Sequence, residues 1–310
     1  MRTRKQAAIQ KRYRTEECGI LLSQPQILSQ GWRHAAQMEV SSNFEPCQTH
    51  FNAARDKIIT LGGWERHGIG MQKEKTLHAV VKQYEDPDED HHEIPVEGYI
   101  ADIFTGTQII EIQNGNFNKM RGKLAAFLPL YPVRIVYPMP YEKWIYWINP
   151  ETGELNKKNK CAGRGNFYQA FRELYRIRPF LSHPNLSIEL LLIDMEEYRL
   201  QDGWDRSGKR GSHRYDRIPL TLRDSLLLTC PQDYRLFVPY DLPEPFTCAD
   251  FGRAAGIRGS FSAILLMLTE LGVVARVGKR GNAYLYRCVE SWDGETWAGD
   301  DRSMFWQPEE

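Results

Sequence analysis

Two carboxylates stand where a folding chain would not place them without a reason. In "GYIADIFTGTQIIEIQNGNFNKM" (Gly98–Met120), Asp102 and Glu111 interrupt two otherwise apolar, β-branched runs. The runs read as strands joined by a tight turn, with alternate side chains sharing a face. A four-residue loop, Thr105–Gln108, pairs Phe104 with Ile109 and sets Asp102 opposite Glu111; a three-residue loop shifts the partner by one. Like charges directly opposite each other destabilise a ladder. A divalent cation between them turns that repulsion into coordination by hard oxygen donors. The helix "KEKTLHAVVKQY" offers a third acid, because Glu74 lies at the margin of the stripe Leu77, His78, Val81. The structural alternative is an ion pair between Glu111 and Lys119 or Lys123 on the following helix.

A helix carboxylate, then Asp102, then Glu111-x-Gln113 nine positions on, resembles the PD-(D/E)xK nuclease superfamily over Gly70–Tyr137. That resemblance implies a core of helix, β-meander, crossing helix and further strand. It implies Mg2+ (or Mn2+) held by Asp102 and Glu111 with Glu74 assisting, and metal-assisted phosphodiester hydrolysis. The family's motif lysine falls at position 113, where this chain has Gln113. Lys119 and Lys123, or less readily Arg121, are the cations placed to substitute.

These residues need a scaffold, and the pattern supplies one. Strands are predicted near 93–97, 99–104 and 108–113, then a helix over 117–128, the strand "VRIVYP", a hairpin in "KWIYWINPETGELNKK", a helix "NFYQAFRELYRI" and the buried strand "LSIELLLIDM". The fold class is α/β (α+β), a mixed β-sheet flanked by helices around a restriction-endonuclease-like core. Residues 1–60 give no clear core pattern, 61–238 form the nuclease-like domain, 239–290 follow the Pro-rich "PYDLPEP", and 291–310 form an acidic tail. In the third region Thr247 and Asp250 form a capping box. Ser260 can open a second helix, and "VVARVGKRGNAYLYR" reads as a hairpin around Gly-Lys-Arg-Gly-Asn. That is the pattern of a winged helix-turn-helix.

At 310 residues, 42% hydrophobic and 12% aromatic, the chain is long enough and apolar enough for a sizeable core. Its six scattered cysteines contain no CxxC pair, which predicts reduced thiols and a cytoplasmic setting. No apolar run approaches the roughly 18 residues of a membrane span. The formal net charge is zero, yet charge is segregated: six basic residues and no acid in the first 14, seven acids and one arginine from Glu290 to Glu310. Arg199–Arg217 carries six basic residues against three acids beside Trp204 and Tyr215, and its Arg206, Lys209, Arg210 and Arg214 are candidate phosphate contacts. The same stretch fails as an ATP-binding loop, because Arg210 replaces the Mg2+-binding Ser/Thr and no helix follows.

Three readings result: a Mg2+-dependent DNA-processing nuclease with a DNA-holding winged helix, a non-catalytic DNA binder on a degenerate core, and an interaction module or homodimer built through the winged helix. The second helix, "SFSAILLMLTELG", is poor in cations, so the wing's Arg276, Lys279, Arg280 and Arg287 point to backbone contact with DNA of low sequence specificity. Replacing Lys279 and Arg280 together by alanine is predicted to weaken DNA binding alike across sequences and to flatten its salt dependence. Unchanged binding would remove the wing from the account.

Overall fold

The computed structural model describes residues 44–61, 75–149, 151–155, 159–200, 213–259 and 261–289. Glu74, Arg206, Lys209, Arg210 and Ser260 lie outside them. The elements form an α+β fold with a mixed sheet ordered β1-β2-β3-β4-β6-β7, and β5 beside β4. The strands are β1 (His92–Val96), β2 (Tyr99–Phe104), β3 (Ile109–Ile112), β4 (Val133–Ile148), β5 (Asn159–Lys160), β6 (Leu186–Leu200) and β7 (His213–Leu228). β1–β2 and β2–β3 are antiparallel, β3–β4 is parallel and β4–β5 is antiparallel. Two compact units emerge, each assembled from three stretches: Met1–Glu89, Pro140–Gly165 and Leu191–Ser225 in one, and Asp90–Met139, Asn166–Leu190 and Leu226–Glu310 in the other.

In the first unit, helix α1 (Phe44–Leu61) packs on α2 (Thr76–Glu85). α1 falls in the region where the sequence shows no clear pattern. Its buried stripe Cys47, Phe51, Ala54 is nevertheless spaced by four and three, as one helix face requires. Phe51 meets Tyr84 edge-on at 5.4 Å. α2 opens on Lys75, whose side chain provides no cap. The need is met from β7, where buried Asp216 accepts from the Thr76 backbone N–H at 3.2 Å. The hairpin after β4 is as the sequence suggests: Asn149 Oδ1 accepts from the Glu151 N–H at 2.9 Å, Gly153 turns at φ +71°, and Trp144 pairs with Lys160. The cationic stretch Arg199–Arg217 is strand up to Leu200 and again from His213.

In the second unit, Ala101, Ile103, Ile109, Ile110, Ile112, Val133 and Ile135 build the sheet's buried core. The helix expected over 117–128 is a 3-10 turn, Phe117–Met120, running into α3 (Arg121–Phe127). The helix expected in "NFYQAFRELYRI" is mostly 3-10: Phe167–Ala170, the four-residue α4 (Phe171–Leu174) and Tyr175–Phe180. Pro179 lies inside that run and Ile177 leaves helical geometry at φ −113°, so a regular α-helix does not propagate.

The C-terminal part of this unit has β8 (Phe246–Thr247), α5 (Cys248–Ala254), α6 (Ser262–Glu270) and the hairpin β9 (Val274–Arg280) and β10 (Ala283–Cys288), with sheet order β8-β10-β9. The Thr247–Asp250 capping box is present: Asp250 N–H donates to Thr247 Oγ1 at 3.2 Å, and Thr247 N–H to Asp250 Oδ2 at 2.9 Å. The hairpin is tighter than the sequence suggests. Ala283 pairs with Arg280, so only Gly281 and Asn282 turn, and Lys279 and Arg280 belong to the strand. This part is tied to the rest of its unit by the packing of Tyr168 on Phe251 at 6.2 Å and by the Arg178–Glu270 pair at 3.4 Å.

Gly165 is fixed by a close approach in the first unit. Its N–H donates to the Tyr141 carbonyl at 2.8 Å, and a Cβ there would fall 1.9 Å from the Pro140 carbonyl oxygen. Backbone cannot swing away as a side-chain end can. Gly165→Ala is therefore expected to destabilise the protein by about 2–3 kcal/mol in chemical denaturation, at the upper end of overpacking costs.

Candidate functional site

The β2–β3 register pairs Ile103 with Ile110 and Phe104 with Ile109, as the four-residue loop requires. Thr105 N–H donates to the Gln108 carbonyl at 3.1 Å, closing the loop, and Gly106 supplies its positive φ of +81°. Continued by one step, the register sets Asp102 across from Glu111. There the ladder gives way to side chains: Asp102 Oδ2 accepts the Ile112 N–H at 2.8 Å. The carboxylates are thus built into the end of the strand pair.

β1 brings a third acid to the same row. Its pairing of His92 with Ile103 and Ile94 with Ala101 puts Glu93 opposite Asp102, with a carboxylate oxygen of each within 4.8 Å of the other. Glu93 is a non-glycine residue at φ 54°, a conformation that costs free energy and occurs preferentially at functional sites. The third acid expected from sequence is Glu74, and Glu93, at the head of the strand expected over 93–97, is not among the candidate ligands. The available signal was Glu93's register with Asp102 across the two-residue turn Glu97–Gly98.

Glu111 is the buried member, 2% exposed. Lys123 on α3 places its ammonium on both Glu111 oxygens, 2.9 Å and 2.8 Å, and donates also to the Ile100 carbonyl at 2.7 Å. Of the two helix lysines proposed from sequence, the structure brings Lys123 to the acid. Lys119, on the 3-10 turn, is exposed. Burial pushes the Glu111 carboxyl up, the Asp102 charge adds to the rise, and Lys123 opposes both, leaving it at about 7. Gln113, the residue in the motif-lysine position, leaves β3 with its backbone N–H on the Val136 carbonyl at 2.9 Å.

The remaining predicted contacts fall at two other places. Arg214 on β7 lies 3.6 Å from buried Glu197 in the first unit. On the β9–β10 hairpin, Arg276 and Lys279 flank the Tyr284 ring at 3.8 Å and 4.7 Å. Arg280 turns toward Asp250 at 3.8 Å, so that cation is partly neutralised.

An α+β fold whose mixed sheet carries a row of three carboxylates, the most buried of them held by a helix lysine, is the class of molecule these observations define. The chain belongs to the family described as Domain of unknown function (DUF8091), whose model matches residues 75–229. The carboxylate row and Lys123 lie inside that match, and the C-terminal hairpin lies outside it. An "Uncharacterized protein" of Treponema pallidum (strain Nichols) is 29% identical over 228 residues, covering 71% of this chain and 87% of its own length. No solved structure matches the chain.

The Glu111 carboxyl has a stability consequence. Folded, it keeps its proton to about pH 7, against an ordinary value of 4.5. Between those values the native state binds more protons than the unfolded chain, so this contribution is complete below the lower value and is lost as pH rises through 7. In metal-free buffer, Glu111→Gln should gain stability relative to the parent between pH 5 and 8, by an amount of order 3 kcal/mol. A difference that stays flat with pH in urea titrations would show that Glu111 ionises normally.

Proposed function

We propose that this chain is a Mg2+- or Mn2+-dependent DNA nuclease that hydrolyses phosphodiester bonds. In this reading the carboxylate row belongs to a restriction-endonuclease-like core of PD-(D/E)xK type, and the C-terminal part acts as a winged helix that holds DNA. The observation that carries it is Asp102 facing Glu111 across β2 and β3 with the Lys123 ammonium at Glu111. The donor set fits a hard divalent cation: Glu93 and Asp102 each bring an oxygen within 4.8 Å of the other, and Glu111 stands across the strand pair from Asp102. When bound, such an ion would polarise the phosphate and make water a better nucleophile. Asp102 stays oriented by its bond from the Ile112 N–H. Lys123, released from part of its hold on Glu111, offers a charged donor to water or to the phosphate, the role that Gln113 fills less well. Arg276 and Lys279 supply backbone contacts.

A second reading has its own support. Lys123 already satisfies both oxygens of Glu111. An ammonium standing where a metal would stand is what a degenerate, non-catalytic DNA-binding core would retain.

Cleavage of a labelled DNA panel in Mg2+ and in Mn2+ separates the two. Asp102→Ala should reduce cleavage at least a hundredfold while leaving DNA binding within about threefold, since the acid would stabilise charge in the transition state and not the bound duplex. Glu111→Gln should abolish Mg2+ binding by calorimetry without loss of fold. DNA binding with no cleavage in either metal would establish the second reading.

A further inference from the structure

The first unit holds a concentration of positive charge that the carboxylate row does not use. Glu197 on β6 is 1% exposed. Lys143 Nζ stands 3.4 Å from it, Arg214 Nε 3.6 Å, and Arg199 is bonded to it directly. Three cations therefore share one carboxylate. The acid is inside, while the Lys143, Arg199 and Arg214 side chains stay 25%, 25% and 53% exposed. Burial alone would push the Glu197 carboxyl up, and the charges of Lys143 and Arg199 overcome that and hold it below its ordinary value. The carboxylate thus remains ionised beneath the cations and fixes where they stand.

The same strands carry flat rings. Arg199 lies over Trp147, its guanidinium carbon 5.9 Å from the ring centre. Lys143 and Trp147, four apart on β4, share a face of the strand. The hairpin β4–β5 repeats the arrangement around buried Glu142, bonded by Lys160 at 2.7 Å and Arg164 at 3.0 Å, with Lys160 over Trp144 at 5.4 Å. Among the described residues, five cations share these two carboxylates, with a tryptophan beside each group.

We propose that the Lys143–Arg199–Arg214 cluster is a phosphate-binding site for a single nucleic-acid strand, with Trp147 as the platform on which a base stacks. Guanidinium forks match phosphate geometry, and a surplus of fixed positive charge attracts a polyanion. The adjacent indole adds what free phosphate does not need and a base does, a flat surface for stacking that tolerates any sequence. The proposal rests on the nucleic-acid reading of the preceding section and extends it to a strand-holding surface carried by the first unit.

Binding of a fluorescein-labelled oligothymidylate is measured by anisotropy in EDTA, so cleavage plays no part, over a series of salt concentrations. Arg199→Ala with Arg214→Ala should weaken binding about tenfold and lower the slope of log affinity against log salt by ~1.4, two phosphate contacts at ~0.7 each. Lys143 remains on Glu197 in that variant. Arg214→Ala alone, at the exposed rim, should lower the slope by ~0.7 and guards against misfolding of the double variant. Trp147→Ala should weaken oligothymidylate binding while leaving an abasic strand of equal length unaffected. Wild-type affinity and slope in both arginine variants would overturn the site. Displacement of the strand by inorganic tripolyphosphate at equal phosphate concentration, together with no effect of Trp147→Ala, would overturn the nucleic-acid assignment in favour of a free polyphosphate. The Asp102→Ala protein, which lacks cleavage if the carboxylate row is catalytic, should bind the strand as the parent does, so the two readings fail separately.

Discussion

The contact between Glu111 and Lys123 is the constraint on which the second unit is arranged. A carboxylate 2% exposed and opposite another acid is tolerable only if protonated or held by positive charge. Lys123 supplies that charge, and its third bond, to the Ile100 carbonyl, ties α3 to β2 as well as to β3. The helix is thereby fixed over the end of the hairpin where the ladder stops and the side chains of Asp102 and Glu111 take over. The position of α3, the termination of the β2–β3 ladder and the near-neutral titration of Glu111 are three results of one electrostatic requirement.

The same sorting of charge runs through the molecule. The chain as a whole has no net formal charge, yet Glu111, Glu142, Asp194, Glu197 and Asp216 are buried while many of their cationic partners reach solvent. Asp194 shows the pattern at its simplest: it accepts the Glu142 N–H at 3.1 Å and holds the half-exposed Arg223 at 2.7 Å. Buried acids need donors and obtain them from long side chains whose stems lie along the sheet. A composition that reads as neutral therefore presents a locally positive surface wherever several cations converge on one internal acid.

The row's central pair was legible because strand periodicity and turn length are local rules. Phe104 and Ile109 flank a loop that the sequence allows at three or four residues, and the observed four-residue register is the one that sets Asp102 across from Glu111. The capping box at Thr247 and Asp250 was legible for the same reason. Glu93 was hidden because its place in the row depends on a second register, and because an acid at positive φ departs from the alternation that sequence reading relies on. Asp216 as the cap of α2 could not be seen at all, since it joins positions 140 residues apart. The choice of Lys123 over Lys119 was equally non-local. Phe117–Met120 forms a tighter 3-10 turn before α3 begins, which changes the angular positions that an ideal helix would give the two lysines.

The compactness of the row in sequence has a kinetic meaning. Glu93, Asp102 and Glu111 come from three consecutive strands joined by tight turns, so their pairing closes only small loops. The parallel β3–β4 pairing must instead wait for the whole crossover between Ile112 and Val133. Contacts near in sequence form early, and crossover pairings late. The counter-charge is nearly as local, Lys123 lying 12 residues beyond Glu111, so the row and the ammonium that faces it belong to one short stretch of chain whose contacts are near in sequence.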